Sequence, residues 1–290
     1  MVYSNPPPAS IAVLTHPTLE DAAIEGSLVV DRLRQGGLWV EQGQIQDEAL
    51  VQRVAQGEFD TVIAVGGDGT MLRAGHLCAK RNIPLMGINM GHFGFLYEIK
   101  RNEWQEYIPR LLNGDYRLEN RMMLRAELFR QDTLLGSWDV LNEVIACRGQ
   151  IVRPVQLTAY VDGYYLTLFV ADGLIASTAT GSTGYSLAAG GPILPPELRN
   201  ILIIPVASHI SWDRAIVLSE GSSVTITVNT SHEAVLSVDG QAPVPMVDGD
   251  QVHVTANSHS LNMIRFQGPD YFYRNLTPHL QQNPLTGAVR

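Results

Sequence analysis

Apolar residues along the chain follow two spacings in turn, and the change falls near residue 115. In the first stretch, short β-branched runs alternate with amphipathic segments. Ile11-Ala12-Val13-Leu14 has the composition of a buried strand, and Ile24, Leu28 and Leu33 follow at helical spacing until Gly36-Gly37 ends the pattern. Thr61-Val62-Ile63-Ala64-Val65 reads as a second strand, Met71 to Lys80 as a helix, and Pro84-Leu85-Met86-Gly87-Ile88 as another strand. Strands separated by helices predict a Rossmann-like parallel sheet covered by helices, which binds ligands beyond the carboxyl ends of its strands. After residue 115, runs such as Ala126-Glu127-Leu128-Phe129, Val155 to Val161 and Ser223 to Val228 recur between Gly, Asp and Asn turns, the mark of antiparallel sheet. Asp162-Gly163 between two such runs is a hairpin signal, because both residues tolerate positive φ. The expected architecture is an α/β N-terminal domain over residues 1–115 and an all-β, sandwich-like domain over 116–265. Residues 266–290, rich in Pro, Asn and Gln, are expected to form a tail that returns to the first domain.

Composition removes several functional classes. The chain has 290 residues, 45% hydrophobic and 17% charged, enough apolar material for one large domain or two ordinary ones. A formal net charge of −9 argues against a surface built for nucleic acid or anionic lipid, while a local basic pocket stays compatible with it. Cys78 and Cys147 stand far apart, outside any Cys-x-x-Cys pair, so neither a disulfide framework nor a cysteine zinc site is expected. The eight histidines are scattered and no His-Glu-x-x-His occurs, which leaves a zinc hydrolase without support and any metal ligands unidentified. No apolar run approaches the ~20 residues that span a bilayer, and the first residues lack a secretion signal, so the expected location is the cytoplasm.

Three segments carry candidate chemistry. Gly66-Gly67-Asp68-Gly69-Thr70 lies where a strand hands over to a helix, and its glycines let backbone amides approach a phosphate. It is not a P-loop, since no Gly-Lys-Ser/Thr follows, and Leu72 stands where a dinucleotide fingerprint has its third glycine. A carboxylate beside phosphate is repulsive unless it holds a metal or takes a proton from a nucleophile, so Asp68 reads either as a general base or as a helix cap. From Asp172 to Ser186, five hydroxyl residues and two glycines crowd into Ser177–Gly184, offering donors to an oxygen-rich ligand. Tyr185 there can stack on a base or fill ordinary packing. In Leu141-Asn142-Glu143-Val144, an amide and a carboxylate sit side by side in an apolar stretch, so one of them must enter a polar site or a turn.

Together with Gly87-Ile88-Asn89-Met90-Gly91-His92-Phe93-Gly94-Phe95-Leu96 and Ser237-Val238-Asp239-Gly240-Gln241, these segments resemble the NAD kinase family, in its order, from about residue 10 to residue 265. The resemblance implies phosphoryl transfer from ATP, or in some members polyphosphate, to the 2′-hydroxyl of the adenosine ribose of NAD, with Mg²⁺ accompanying the donor. It makes Asp68 the catalytic base and sets Asp68 and Gly69 against the dinucleotide. Asn142 and Glu143 would hold the nicotinamide-side ribose, and Asp172 the carboxamide end. Phe95 and Tyr185 would pack near the adenine and nicotinamide, with Thr183, Gly184, Ser186, Leu187 and Ala188 lining the pocket. Arg73, Arg153 and Gln241 match positions that contact ligand in parts of the family. Val170 replaces a basic residue of some relatives, and Gly184 stands where alanine is common. The resemblance also implies a homo-oligomer in which neighbouring subunits complete each site, with Pro205 to Arg214 a candidate for the shared wall. Lipid kinases share the Gly-Gly-Asp-Gly turn, and a non-catalytic dinucleotide-binding sensor could keep Asn142, Glu143 and Asp172; these are the competing readings.

Overall fold

The computed structural model describes residues 4–91, 94–151, 153–209 and 212–281. His92 and Phe93 of the glycine-rich second segment, and Ile210 and Ser211 of the candidate wall, lie outside the described residues. The chain divides into two compact units, one made of residues 1–120 and 260–290, the other of residues 121–259.

In the first unit, β1 (Ser10–Thr15), α1 (Glu20–Gln35), β2 (Trp39–Gln44), α2 (Glu48–Gln56), β3 (Thr61–Gly66), α3 (Asp68–Ala79) and β4 (Leu85–Asn89) alternate along the chain. The strands pair in parallel in the order β4-β3-β1-β2, with Val13 opposite Gln42 on one side and Ile63 on the other. Every residue of β3 is buried, because helices cover both faces of a parallel sheet and leave no polar side to alternate with. A short β5 (Ile99–Lys100) and α4 (Trp104–Leu112) follow, and β6 (Arg117–Arg130) carries the chain out of the unit.

Helix α1 corrects the expected apolar face. Leu33 is in the core, but Ile24 and Leu28 are half-exposed, and Ala22, Gly26, Val29 and Val30 are buried in their place. The cause is close approach to the sheet: a Cβ on Gly26 would fall 2.6 Å from Thr15 Cγ2. Only the stripe with the smallest residues can come that near.

The chain from residue 260 onward belongs to the first unit. The second half of a long strand returns to the sheet, placing Met263 beside Leu85 of β4, and Tyr271–Gln281 forms a helix whose Tyr271 hydroxyl donates to the Glu98 carbonyl. Arg265, almost fully buried, donates through Nε to Glu119 at 3.0 Å and through a second nitrogen to the Leu96 carbonyl. The Glu98 carboxylate accepts the Phe266 amide at 2.8 Å. Removing one partner of a buried pair strands the other charge, so Arg265→Ala is expected to lower unfolding free energy by about 3–5 kcal/mol, read from urea denaturation.

The second unit is a two-sheet sandwich. Beyond β6 it contains β7 (Thr133–Val140), β8 (Glu143–Arg148), β9 (Val155–Val161), β10 (Tyr164–Ala171) and β11 (Gly173–Ser177). A 3₁₀ turn (Thr180–Thr183), the single-turn α5 (Tyr185–Ala188) and β12 (Asn200–Val206) come next. The chain continues through β13 (Ile216–Ser219), β14 (Val224–Asn229), β15 (Ala234–Val238), β16 (Val244–Met246) and β17 (Gln251–Arg265). One sheet runs β13-β12-β11-β8-β15-β16, the other β10-β9-β14-β17 with β6 joined to β17 and β7 to β6. Leu157, Phe169, Ile226 and Val252 of the second sheet meet Val144, Leu174, Ile201 and Leu236 of the first in one core. The β9–β10 hairpin turns at Asp162 (φ 53°) and Gly163 (φ 81°), the two left-handed residues its sequence called for.

Candidate functional site

In the first unit the site is the turn between β3 and α3. Gly67 takes the N-cap position in extended conformation (φ −101°, ψ −177°) with no side-chain cap, and Asp68 is the first residue of the helix. Asp68 is therefore not the cap; its carboxylate is exposed at the positive end of the helix. The glycines here do different work. A Cβ on Gly66 would fall 2.4 Å from Thr70 Oγ1, and one on Gly94 would fall 2.1 Å from Asp68 Oδ1. At Gly67 and Gly69 a Cβ would meet nothing within 4 Å, and neither residue has the positive φ that demands glycine. The fold does not need glycine at these two positions. Their bare backbone at a helix N-terminus suits an anion that must touch the amides.

A cavity of about 180 Å³ opens beside them, with His16, Gly67, Gly69, Thr70 and Arg73 among its walls. The Thr18 amide donates to Nδ1 of His16 at 3.2 Å, which leaves the proton of the neutral ring on Nε2. Drug-sized ligands occupy roughly 300–1,000 Å³, so this cavity suits phosphate groups and is too small for a whole nucleotide. Below it, the buried Tyr97 hydroxyl donates to the Gly67 carbonyl at 2.8 Å. Burial, and secondarily the Asp68 charge, holds that phenol well above its ordinary pKa. Thus Asp68, Gly69 and Arg73 come together at the mouth of this turn, and Phe95, half-buried, directly follows the glycine that abuts Asp68.

In the second unit the site is the entry to β8. All six backbone polar groups of residues 141–143 are bonded. The Asp239 carboxylate accepts the amides of Leu141 (2.7 Å), Asn142 (2.8 Å) and Glu143 (2.9 Å), and its own amide donates to the Glu143 carbonyl. Thr178 Oγ1 donates to the Leu141 carbonyl, while Ser177 Oγ and the Thr178 amide donate to that of Asn142. A Cβ on Gly181 would fall 2.3 Å from the same Asn142 oxygen, so glycine there permits the close approach. The sequence-based expectation that this hydroxyl cluster waits for a ligand is corrected. Ser177, Thr178 and Ser182 are fully buried and bonded to backbone, Ser182 through the Leu194 amide. They are spent on the loop itself. Ser186 differs: its hydroxyl is buried with no hydrogen-bond partner among the described residues.

Glu143 faces this loop. Its Oε2 has no hydrogen-bond partner among the described residues and lies 3.1 Å from where a Gly184 Cβ would stand, and the Tyr185 amide reaches its carboxylate. Burial first, then the Asp239 charge, raises its pKa to about 7, against the Tyr185 amide, which lowers it. Between the ordinary carboxylate range and about pH 7 the folded chain holds a proton that the unfolded chain has released, so stability falls as pH rises through that window. Glu143→Gln is expected to remove that slope and to stabilise the fold by about 1–3 kcal/mol above pH 8, seen by comparing urea midpoints at acid and alkaline pH.

The other expected residues are spread out. Tyr185 is 46% exposed, Leu187 is half-buried and Ala188 exposed, on one short turn with Thr183 and Gly184. Asp172 does not join them. Its carboxylate pairs with Arg148 at 3.2 Å, at the end of the β8–β11 pair opposite to Glu143 and Ser177. At the rise of a strand, that is roughly 15 Å away. Arg153 and Gln241 are exposed, each held only through its backbone in the bonds seen here, Gln241 closing the Val238–Gln241 turn. Asp239 was the functional candidate that sequence reading passed over; it lay inside a quoted segment, but nothing local marked its carboxylate.

Residues 20–116 match the family model of the ATP-NAD kinase N-terminal domain, and residues 141–266 that of the ATP-NAD kinase C-terminal domain. The NAD kinase of Chloroflexus aggregans is 36% identical over 274 residues, 94% of this chain and 99% of the relative. That of Geotalea daltonii is 41% identical over 216 residues, 74% of this chain and 76% of the relative. Among solved structures, an NAD kinase from Archaeoglobus fulgidus in complex with ATP superposes with a TM-score of 0.73 at 25% identity, covering 92% of this chain and 97% of the other. Yeast NADH kinase complexed with NADH shares the fold, with a TM-score of 0.81 at 21% identity over 99% of this chain and 90% of the other.

Proposed function

This chain belongs to the NAD kinase family, and on that premise we propose that it transfers the γ-phosphoryl group of ATP to the 2′-hydroxyl of the adenosine ribose of NAD. The new bond joins the ribose oxygen to phosphorus, the bond from phosphorus to the ADP oxygen breaks, and the hydroxyl proton passes to Asp68. The products are NADP and ADP. The observation that carries this reading is the pair of glycines, 67 and 69, that neither packing nor backbone conformation requires, at a helix N-terminus beside an exposed carboxylate. There the amides of Gly67 and Gly69, with Arg73, hold the donor phosphates, and Asp68 meets the acceptor.

In the second unit Asn142 and Glu143 bind the nicotinamide-side ribose, and Thr183 to Ala188 line the dinucleotide pocket there; in the first unit Phe95 stands beside the Asp68 turn. Among the described residues no group of three or more His, Cys, Asp or Glu side chains gathers to hold a metal. Mg²⁺ would enter with the donor phosphates at the turn that carries Asp68 and would supply charge compensation on those phosphates. The distance from Glu143 to Asp172 within one chain supports a homo-oligomer, since one carboxamide-binding Asp172 and one ribose-binding Glu143 can then come from different copies. Two free cysteines fit a reducing cytoplasm.

Purified protein supplied with NAD, Mg²⁺ and either ATP or polyphosphate is expected to form NADP. No NADP with either donor would overturn the reading. Asn142→Ala is expected to raise the KM for NAD by roughly 10- to 100-fold with a smaller change in kcat, because it removes binding more than chemistry.

A further inference from the structure

Asp239 and Gly240, at φ 47° and 68°, occupy the two central positions of the turn closed by the Gln241 amide on the Val238 carbonyl. Such a turn accepts Asn, Asp or Gly equally, so its geometry does not call for a carboxylate. The carboxylate nevertheless accepts three consecutive amides from a segment about a hundred residues earlier in the chain, and its own amide closes the set on the Glu143 carbonyl. Three donors converging on one carboxylate is a charge-assisted clamp, stronger than neutral bonds would make.

We propose that Asp239 is a positioning residue for the dinucleotide site: its carboxylate locks the backbone of Leu141–Glu143 so that the Asn142 and Glu143 side chains stand ready for the substrate's ribose. This rests on the reading that those two side chains bind NAD. Thr178 and Ser177 hold the Leu141 and Asn142 carbonyls of the same segment, while all three of its amides go to the Asp239 carboxylate. The clamp has an electrostatic second effect. Of the elements around the Glu143 carboxyl, β11 brings Ser177 and α5 brings the Tyr185 amide, both uncharged; Asp239 is the charged group that acts on it and disfavours its ionisation.

The test is Asp239→Asn, which keeps a residue at home in the left-handed turn but removes the charge and part of the acceptor capacity. Three readouts apply. Amides of Leu141, Asn142 and Glu143 should exchange with deuterium roughly 10-fold or more faster. The KM for NAD should rise roughly 10- to 100-fold, well beyond any change in kcat. The acid limb of kcat/KM should move to lower pH, since Glu143 ionises more readily without the neighbouring charge. Asp239→Glu separates the two effects: the limb stays where it is in the wild type, and KM still rises because the longer arm cannot meet three amides at once. Wild-type exchange, KM and acid limb in Asp239→Asn would overturn the proposal. If the wild-type protein forms no NADP, the substrate reading fails instead, and the exchange measurement alone still decides whether the clamp exists.

Discussion

Asp68→Asn is expected to lower turnover by roughly 10²- to 10⁴-fold while leaving the thermal midpoint and the KM for NAD near their wild-type values. The side chain is exposed and the N-cap position belongs to Gly67, so an isosteric replacement leaves the volume at the turn unchanged. What Asn lacks is the capacity to take the ribose proton. The loss therefore belongs in kcat, and steady-state kinetics at saturating NAD and ATP read it directly. Turnover within a few-fold of wild type would remove Asp68 from the role of base.

Gly94→Ala is expected to reach the same carboxylate from outside. Its new Cβ falls 2.1 Å from Asp68 Oδ1 and 2.7 Å from Cγ, and the far end of an exposed side chain yields more cheaply than backbone does. The fold survives and the carboxylate moves. Displacing a reacting group by about 1 Å costs on the order of 10²-fold, so turnover should drop by about that factor with little change in stability. The double variant with Asp68→Asn should be hardly worse than Asp68→Asn alone, since both act on one group. A multiplicative loss would show that Gly94 serves something other than the position of Asp68.

The parts legible in the sequence were those written in local chemistry. Asp162-Gly163 announced a left-handed turn because few residues accept positive φ, and the β3 run announced a buried strand because nothing in it was polar. Helix α1 was misread because it carries two apolar stripes at helical spacing, and only contact with Thr15 and Gln42 decides that the one with Gly26 faces the sheet. The hydroxyls of Ser177, Thr178 and Ser182 were misread because a side chain that serves distant backbone looks, in sequence, like one that serves a ligand. Asp239 stayed hidden on the same ground: its partners are amides, which every residue has.

The pairing of Met263 with Leu85 has a consequence for biosynthesis. Strands β1 to β4 emerge from the ribosome early, yet the flank of β4 awaits a neighbour that is translated some 175 residues later, after the whole sandwich. Until then the nascent chain carries an unfinished sheet edge and a Glu119 whose buried partner Arg265 has not been made. Vectorial synthesis thus makes the sandwich the first piece able to complete itself, and leaves the half bearing Asp68 to close last.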